Sequence, residues 1–320
     1  MPIFDATATS EQVIEAFKPN IKGKTFVITG AGKPSIGSQI ATSLAKAAPA
    51  HILIVSRTLS KVHPVLDDIH AIDSTIKTTA VQVDLTDHES VRRAADEILV
   101  AVPKIDVLIN SAGVMAIKEY TLDKQGIELQ LSANHVGHFL LTNLLVPALE
   151  AAGSARVVNL TSSGYLISPF RFEDWNYSDG KEYDPWTGYG QAKTANILFT
   201  YGLAQRLRHK GIAAIAVHPG YNGDTRLGSH LTWDDFTGIS AIAARNTGKE
   251  FVFEEPRFKT YTQIAVTPLI AALDPGLQAL APVFMQNSVV SEAAEHARDP
   301  GSVDALWRLS EELVGEEFRY

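Results

Sequence analysis

The 320-residue chain contains no cysteine. Disulfides, thiolate catalysis and cysteine-held zinc are thereby excluded. It has no run of about 18 apolar residues, so no membrane-spanning helix is expected. The opening segment MPIFDATATSEQ lacks the basic start and apolar stretch of a secretory leader. Positive charge is also in short supply: 28 Lys and Arg stand against 36 Asp and Glu, a net −8. That balance argues against a nucleic-acid surface and against a basic membrane patch. Repeats, low-complexity tracts and long charge blocks are missing too. The expectation is a cytoplasmic protein whose partner is a small molecule, with neither nucleic acid nor membrane involved.

What is present is a core. Apolar residues make up 45% of the chain. Strand-like runs recur at 26–29, 51–56, 78–83, 104–110, 155–161 and 212–218. Helix-like stretches at 36–48, 58–72, 87–102, 123–151 and 189–210 separate them. Such alternation implies an α/β domain with a parallel sheet covered on both faces. Ligands of such sheets lie beyond the carboxyl ends of the strands. After residue 218 the alternation weakens. Residues 226–260 are rich in glycine and aromatics and are expected to form a lid. A helix at 261–273, an edge strand at 283–285 and a terminal amphipathic helix at 306–314 complete the reading.

TGAGKPSIG, residues 29–37, follows the first strand and opens the first helix of that alternation, where phosphates are held. Gly30 and Gly37 permit close backbone approach, and Lys33 brings positive charge. The second strand ends at Ser56-Arg57. An acid there would take a ribose 2′-hydroxyl, whereas a basic residue accommodates a 2′-phosphate. Arg57 therefore favours NADP(H) over NAD(H), the alternative being an ordinary solvated arginine. Asp84, after the third strand, is either an acceptor for the adenine amino group or a helix cap. NSAG, residues 110–113, ends the fourth strand and would flank the adenosine ribose.

A metal-free reductase without cysteine needs another proton donor. Tyrosine serves if a lysine one helical turn away stabilises its phenolate. Tyr-x-x-x-Lys occurs three times: Tyr120–Lys124, Tyr177–Lys181 and Tyr189–Lys193. Tyr177–Lys181 spans YSDGK, a turn sequence. Tyr120–Lys124 lies at the start of a helix-like stretch, where a solvated lysine is the plain reading. Only Tyr189–Lys193 opens a strong amphipathic helix just downstream of VVNLTSS, a strand ending in hydroxyls. His135 and His138 have no partner carboxylate pattern and are read as packing.

In this order, TGAGKPSIG, NSAG, VVNLTSS, YGQAK and HPG resemble the short-chain dehydrogenase/reductase family. NHVGHFLLTNLL, YGQAKTANILFTYGLAQRL and DALWRLSEELVG are more narrowly similar to its retinol-dehydrogenase-like and WW-domain-oxidoreductase-like members. The resemblance implies one doubly wound Rossmann-type domain over residues 1–320, sheet order 3-2-1-4-5-6-7, with the lid inserted. It implies Tyr189 as acid or base and Lys193 as the group that lowers its pKa and binds the nicotinamide ribose. Ser162, with Ser163 as the alternative, would be the catalytic serine, and Asn134 would hold a relay water. The cofactor would be held by Gly30, Lys33, Ser35, Ile36, Gly37, Arg57, Asp84, Asn110, Ala112, Gly113, Tyr189, Lys193, Pro219, Gly220 and Thr225.

The chain departs from the family loop TGxxxGxG by one extra residue, and Ser35 stands where the middle glycine belongs. Ser35 either hydrogen-bonds a phosphate or crowds the pyrophosphate. PGYNGDT is also one residue longer than usual. The implied activity is NADP(H)-dependent interconversion of a carbonyl and an alcohol, on a bulky apolar substrate if the aromatics of 163–188 and 226–260 line the cleft; packing of lid onto body is the other reading. Without an N-terminal anchor, retinol itself is not the expected substrate. A dinucleotide-sensing or partner-binding protein on the same fold is the non-enzymatic alternative, and a homodimer or homotetramer is compatible with the family.

Overall fold

The computed structural model describes residues 4, 5, 7–255 and 257–320. The first three residues, Ala6, and Pro256 within the expected lid lie outside that set. The elements in chain order begin with α1 (Ser10–Phe17), β1 (Thr25–Thr29), α2 (Ile36–Ala45), β2 (His51–Ser56), α3 (Leu59–Ile72), β3 (Lys77–Gln82) and α4 (His88–Ala101). They continue with β4 (Val107–Asn110), α5 (Leu129–Leu131), a π-helical turn Ser132–Val136, α6 (Gly137–Leu144), α7 (Val146–Glu150) and β5 (Ala155–Leu160). Then come α8 (Pro185–Leu207), β6 (Ile212–His218), α9 (Ile239–Thr247), α10 (Tyr261–Ile264), α11 (Val266–Leu273) and α12 (Leu277–Leu280). The chain finishes with β7 (Val283–Gln286), β8 (Val289–Ser291) and α13 (Pro300–Val314).

The strands form one sheet in the order β3-β2-β1-β4-β5-β6-β7-β8. All pairings are parallel except that of β7 with β8. Side chains alternate across the pleat. Val27, Leu53, Leu108 and Val157 point to the layer that holds α4, α6, α8 and α13. Phe26, Ile28, Ile52, Ile54 and Ile215 point to the opposite layer, with α1, α2, α3 and α11. Two cores thus clamp the sheet, as doubly buried Val- and Ile-rich strands require.

Four features differ from the sequence reading. The 283–285 run is an interior strand, because β8 pairs along its outer side and takes the edge. Helix α1 was not anticipated; Val13, Ile14 and Phe17 lay its apolar face on the second core. The helix expected over 123–151 is broken. Residues 122 and 128 form a β-bridge, and a π-helical turn interrupts the rest. Residues 226–260 are not wholly irregular, since α9 lies within them against α8 and the 163–167 turn. Among the described residues, no helix is long and apolar enough to cross a membrane.

Candidate active site

The strands' carboxyl ends open on a cleft of about 810 Å³, within the range of small-molecule sites. Its floor begins with two turns in close contact. Gly30 has φ +70°, and a Cβ there would lie 2.5 Å from the Ala112 Cα. Only glycine lets the first loop and the NSAG turn meet so closely. Thr29 fastens them: its hydroxyl accepts from the Ser111 and Ala112 N–H groups at 2.9 and 3.0 Å. The same hydroxyl lies 2.9 Å from Nε2 of His138, whose Nδ1 lies 3.1 Å from the Asn134 carbonyl. Burial lowers His138 to about 4, so it is neutral at pH 7 and acts as a two-ended strut. His135 lies 2.8 Å from the Ser310 hydroxyl and packs edge-on against Phe199.

Ser35 is the N-cap of α2 and accepts from the Ser38 N–H at 3.0 Å. Its hydroxyl is thus turned to the helix, so the residue standing in the middle-glycine position serves as a cap. Ile36 lines the cleft, whereas Gly37 packs under the loop, its Cβ position 3.0 Å from the Ala31 Cα. Lys33 lines the cleft but pairs with Asp68 of α3, so its charge is shared. Past β2 the lining is Ser56, Arg57, Thr58 and Lys61, with no carboxylate. Lys61 was not singled out from the sequence, because it sits one helical turn into α3 and reaches the cleft only through the fold. Asp84 lines the far wall, where its carboxylate accepts from the Thr86 N–H and hydroxyl; the helix cap is Asp87.

Three expected residues are not among those lining the cleft: Gly37, which packs under the loop, Asn134, whose amide is bonded to Val114, and Asn110. The Asn110 amide turns into the core and donates to Thr142 and Asn159 at 2.9 and 2.8 Å. Strand alternation sends that side chain into the helical layer rather than to the groove. Ala112 and Gly113, Pro219, Gly220 and Thr225 all line the cleft.

At the centre lie Ser162, Tyr189 and Lys193. Lys193 Nζ is 5.6 Å from the Tyr189 ring centroid and donates to the Leu160 carbonyl at 3.3 Å. The Tyr189 ring enters over Gly164, where a Cβ would come within 2.6 Å of Cε1. Burial pushes the Tyr189 phenol up and the Ser162 hydroxyl pulls it partly back. Burial likewise lowers Lys193 to about 8. Burial thus dominates both groups, and Lys193 is not among the influences on the Tyr189 phenol. Asn134 sits in the π-helical turn, a local irregularity common at functional sites. Its amide clamps Val114 in both directions, accepting at 2.9 Å and donating at 3.0 Å. The other two pairs are elsewhere: Lys124 binds Asp87, and Tyr177 is buried edge-on against Tyr183.

The two aromatic-rich segments part company. Phe170, Phe172 and Trp175 join the core, while Trp186 packs 6.2 Å from Tyr189 and donates to the Asp235 carbonyl of the lid. Trp233, Phe236, Phe253 and Phe258 from residues 226–260 line the cleft. Behind the lid, the Ser163 N–H donates to Nδ1 of His218, and Nε2 of His218 faces Glu254 at 2.8 Å. Glu254 also accepts from Asn287, which in turn accepts from Lys259. Glu254 and Lys259 carry no recognisable motif and were missed.

A short chain dehydrogenase family model matches residues 24–173. Retinol dehydrogenase 12 of Mus musculus is 35% identical over 295 residues, covering 92% of this chain and 87% of that protein. The chain belongs to the short-chain dehydrogenase family. Oxidoreductase fscI of Fusarium equiseti is 34% identical over 244 residues, covering 68% of this chain and 95% of that protein. A crystal structure of an uncharacterized protein from Mycobacterium paratuberculosis matches with 30% identity and a TM-score of 0.69, covering 99% of both chains. As a short-chain dehydrogenase, the protein is a nicotinamide-dinucleotide-dependent oxidoreductase acting on carbonyl or alcohol substrates. The paired glycine turns, the start of α2 and the Tyr189–Lys193 corner fit such a cofactor along one continuous groove.

Proposed function

We propose that this short-chain dehydrogenase is an NADP(H)-dependent carbonyl reductase or alcohol dehydrogenase of the retinol-dehydrogenase-like branch, acting on a bulky apolar substrate. The observation that carries the reading is the Tyr189–Lys193 pair of α8, buried beside Ser162 at the meeting point of the dinucleotide groove and the aromatic wall. The branch is supported by likeness to retinol dehydrogenase 12 over nearly the whole chain.

A bound dinucleotide supplies or accepts the hydride. The chain's own work is proton handling and placement. Tyr189, held protonated by burial, donates to the carbonyl oxygen in reduction and takes the proton back in oxidation. Ser162 holds that oxygen beside the phenol. Lys193 binds the nicotinamide ribose and stabilises the phenolate once the proton has left. Asn134 keeps the NSAG turn in place through Val114 and holds the relay water.

Gly30, Lys33, Ile36, Asp84, Ala112 and Gly113 cradle the adenosine half, with Ser35 capping the helix whose first N–H groups meet phosphate. Pro219, Gly220 and Thr225 shape the nicotinamide end. Arg57 and Lys61, with no acid beside them after β2, select the 2′-phosphate.

Fluorescence titration with NADPH and with NADH tests the cofactor assignment. NADPH is expected to bind more tightly, with the difference lost in Arg57→Ala; tighter NADH binding in the native protein sinks it. A screen of ketones with Tyr189→Phe tests the chemistry: turnover should collapse while dinucleotide binding persists.

A further inference from the structure

The substrate half of the cleft contains an unpaired cation. Arg257 lines it, with its guanidinium carbon 4.2 Å from the Phe253 ring centroid, 5.2 Å from Trp233 and 5.8 Å from Phe258. Three rings thus hold the half-buried guanidinium by cation–π contact. No carboxylate lies within ion-pair distance of it among the described residues. Nearby Glu254 is committed to His218 and Asn287. Glu255 accepts only from the Arg257 backbone N–H. The chain as a whole has net charge −8, yet the single acid among the described lining residues is Asp84, at the adenosine end. The substrate end carries Arg226 as well, again without an ion-pair partner among the described residues.

Tyr221 lines the same cleft as this arginine and the Ser162–Tyr189–Lys193 corner. Its ring lies 6.3 Å from Phe253. Burial pushes the phenol up to about 12, with Arg257 pulling it down and Glu254 pushing it up. The guanidinium and the phenol both pack against Phe253 and line one cleft walled by aromatic rings. A planar guanidinium with its edge free matches a carboxylate, which accepts two parallel N–H bonds.

We infer that Arg257 and Tyr221 form an anion subsite, and that the substrate is a bulky ketone or alcohol bearing a carboxylate remote from its reacting carbon. The inference rests on the oxidoreductase reading of Tyr189 for the position of the carbonyl. A phosphate of the dinucleotide is the other anion within the cleft, and the test separates the two.

The probes are 4-(3-oxobutyl)benzoate, its methyl ester and 4-phenylbutan-2-one, used on the full chain with NADPH. The native protein should prefer the benzoate to the ester by about tenfold or more in kcat/KM, expressed in KM. Arg257→Met should bring that ratio to about one, and Arg257→Lys should restore part of it. A thermal melt establishes that each variant is folded. Equal use of acid and ester by the native protein overturns the subsite. So does an Arg257→Met variant that loses NADPH affinity while keeping the acid-to-ester ratio, which assigns the arginine to the cofactor. Should no probe turn over, quenching of Trp233 emission by the benzoate is read directly. Quenching that disappears in Arg257→Met upholds the subsite and places the failure in the position of the probe carbonyl; quenching equal for acid and ester, or unchanged in the variant, overturns it.

Discussion

His218, the last residue of β6, meets Glu254 of the lid across 2.8 Å, and its other ring nitrogen receives the N–H of Ser163. One imidazole therefore joins the lid to the loop that carries Ser162. His218 accepts from Ser163 at Nδ1 and donates from Nε2 to the carboxylate.

Glu254→Gln tests this joint. Burial pulls the Glu254 carboxyl up, but His218, Lys259 and Asn287 together outweigh it and hold it below 4.5. A carboxylate depressed in the folded state adds stability above its unfolded pKa and loses it as pH falls through the folded value. The native protein should melt higher than the variant at neutral pH. That margin should narrow below about pH 4.5. A margin independent of pH refutes the charge-based account.

Tyr189→Phe should lower turnover by about 100- to 10,000-fold, the usual worth of a placed general acid. The phenyl ring still fits over Gly164, so the melting temperature should hold and NADPH should still bind. A variant retaining most activity would move the acid role to another group.

Gly164→Ala is expected to damage the site without touching a polar group. Its new Cβ would meet the Tyr189 ring at 2.6 Å. Overpacking of this kind costs about 1–3 kcal/mol. The ring must shift, so kcat should fall along with stability. Native-like kcat would mean that the ring has room the structure does not show.

Arg57→Ala combined with Lys61→Ala should weaken NADPH by about 10- to 100-fold, the range for hydrogen bonds to a charged group. NADH, lacking the 2′-phosphate, should change little. Equal losses for both cofactors would place these two cations on the shared pyrophosphate instead.

The doubly wound fold was legible because its signal is repetitive. Val- and Ile-rich runs such as HILIVS at 51–56 recur at intervals that only a covered parallel sheet satisfies. Tyr189–Lys193 was legible because both residues lie on one face of a helix that follows the ligand edge. What resisted reading depends on contacts between distant segments. The edge position passed from β7 to β8 because a three-residue hairpin arm has almost no pattern of its own. Asn110 looked like a cleft residue by motif, but the pleat turned its amide inward to Thr142 and Asn159.

The sequence by itself determined the parallel strands β1 to β6 and their order, and it placed the 29–37 loop and Tyr189–Lys193 at one sheet edge, since each is written within a few adjacent residues. Only the tertiary structure decided that Ser35 caps a helix, that Lys33 pairs with Asp68, and that burial rather than Lys193 governs the Tyr189 phenol. It alone joined Glu254 to His218 and stacked Arg257 among Phe253, Trp233 and Phe258. Hydrogen bonding, desolvation and stacking act through space, and the spacing of residues along the chain does not encode which of them will meet.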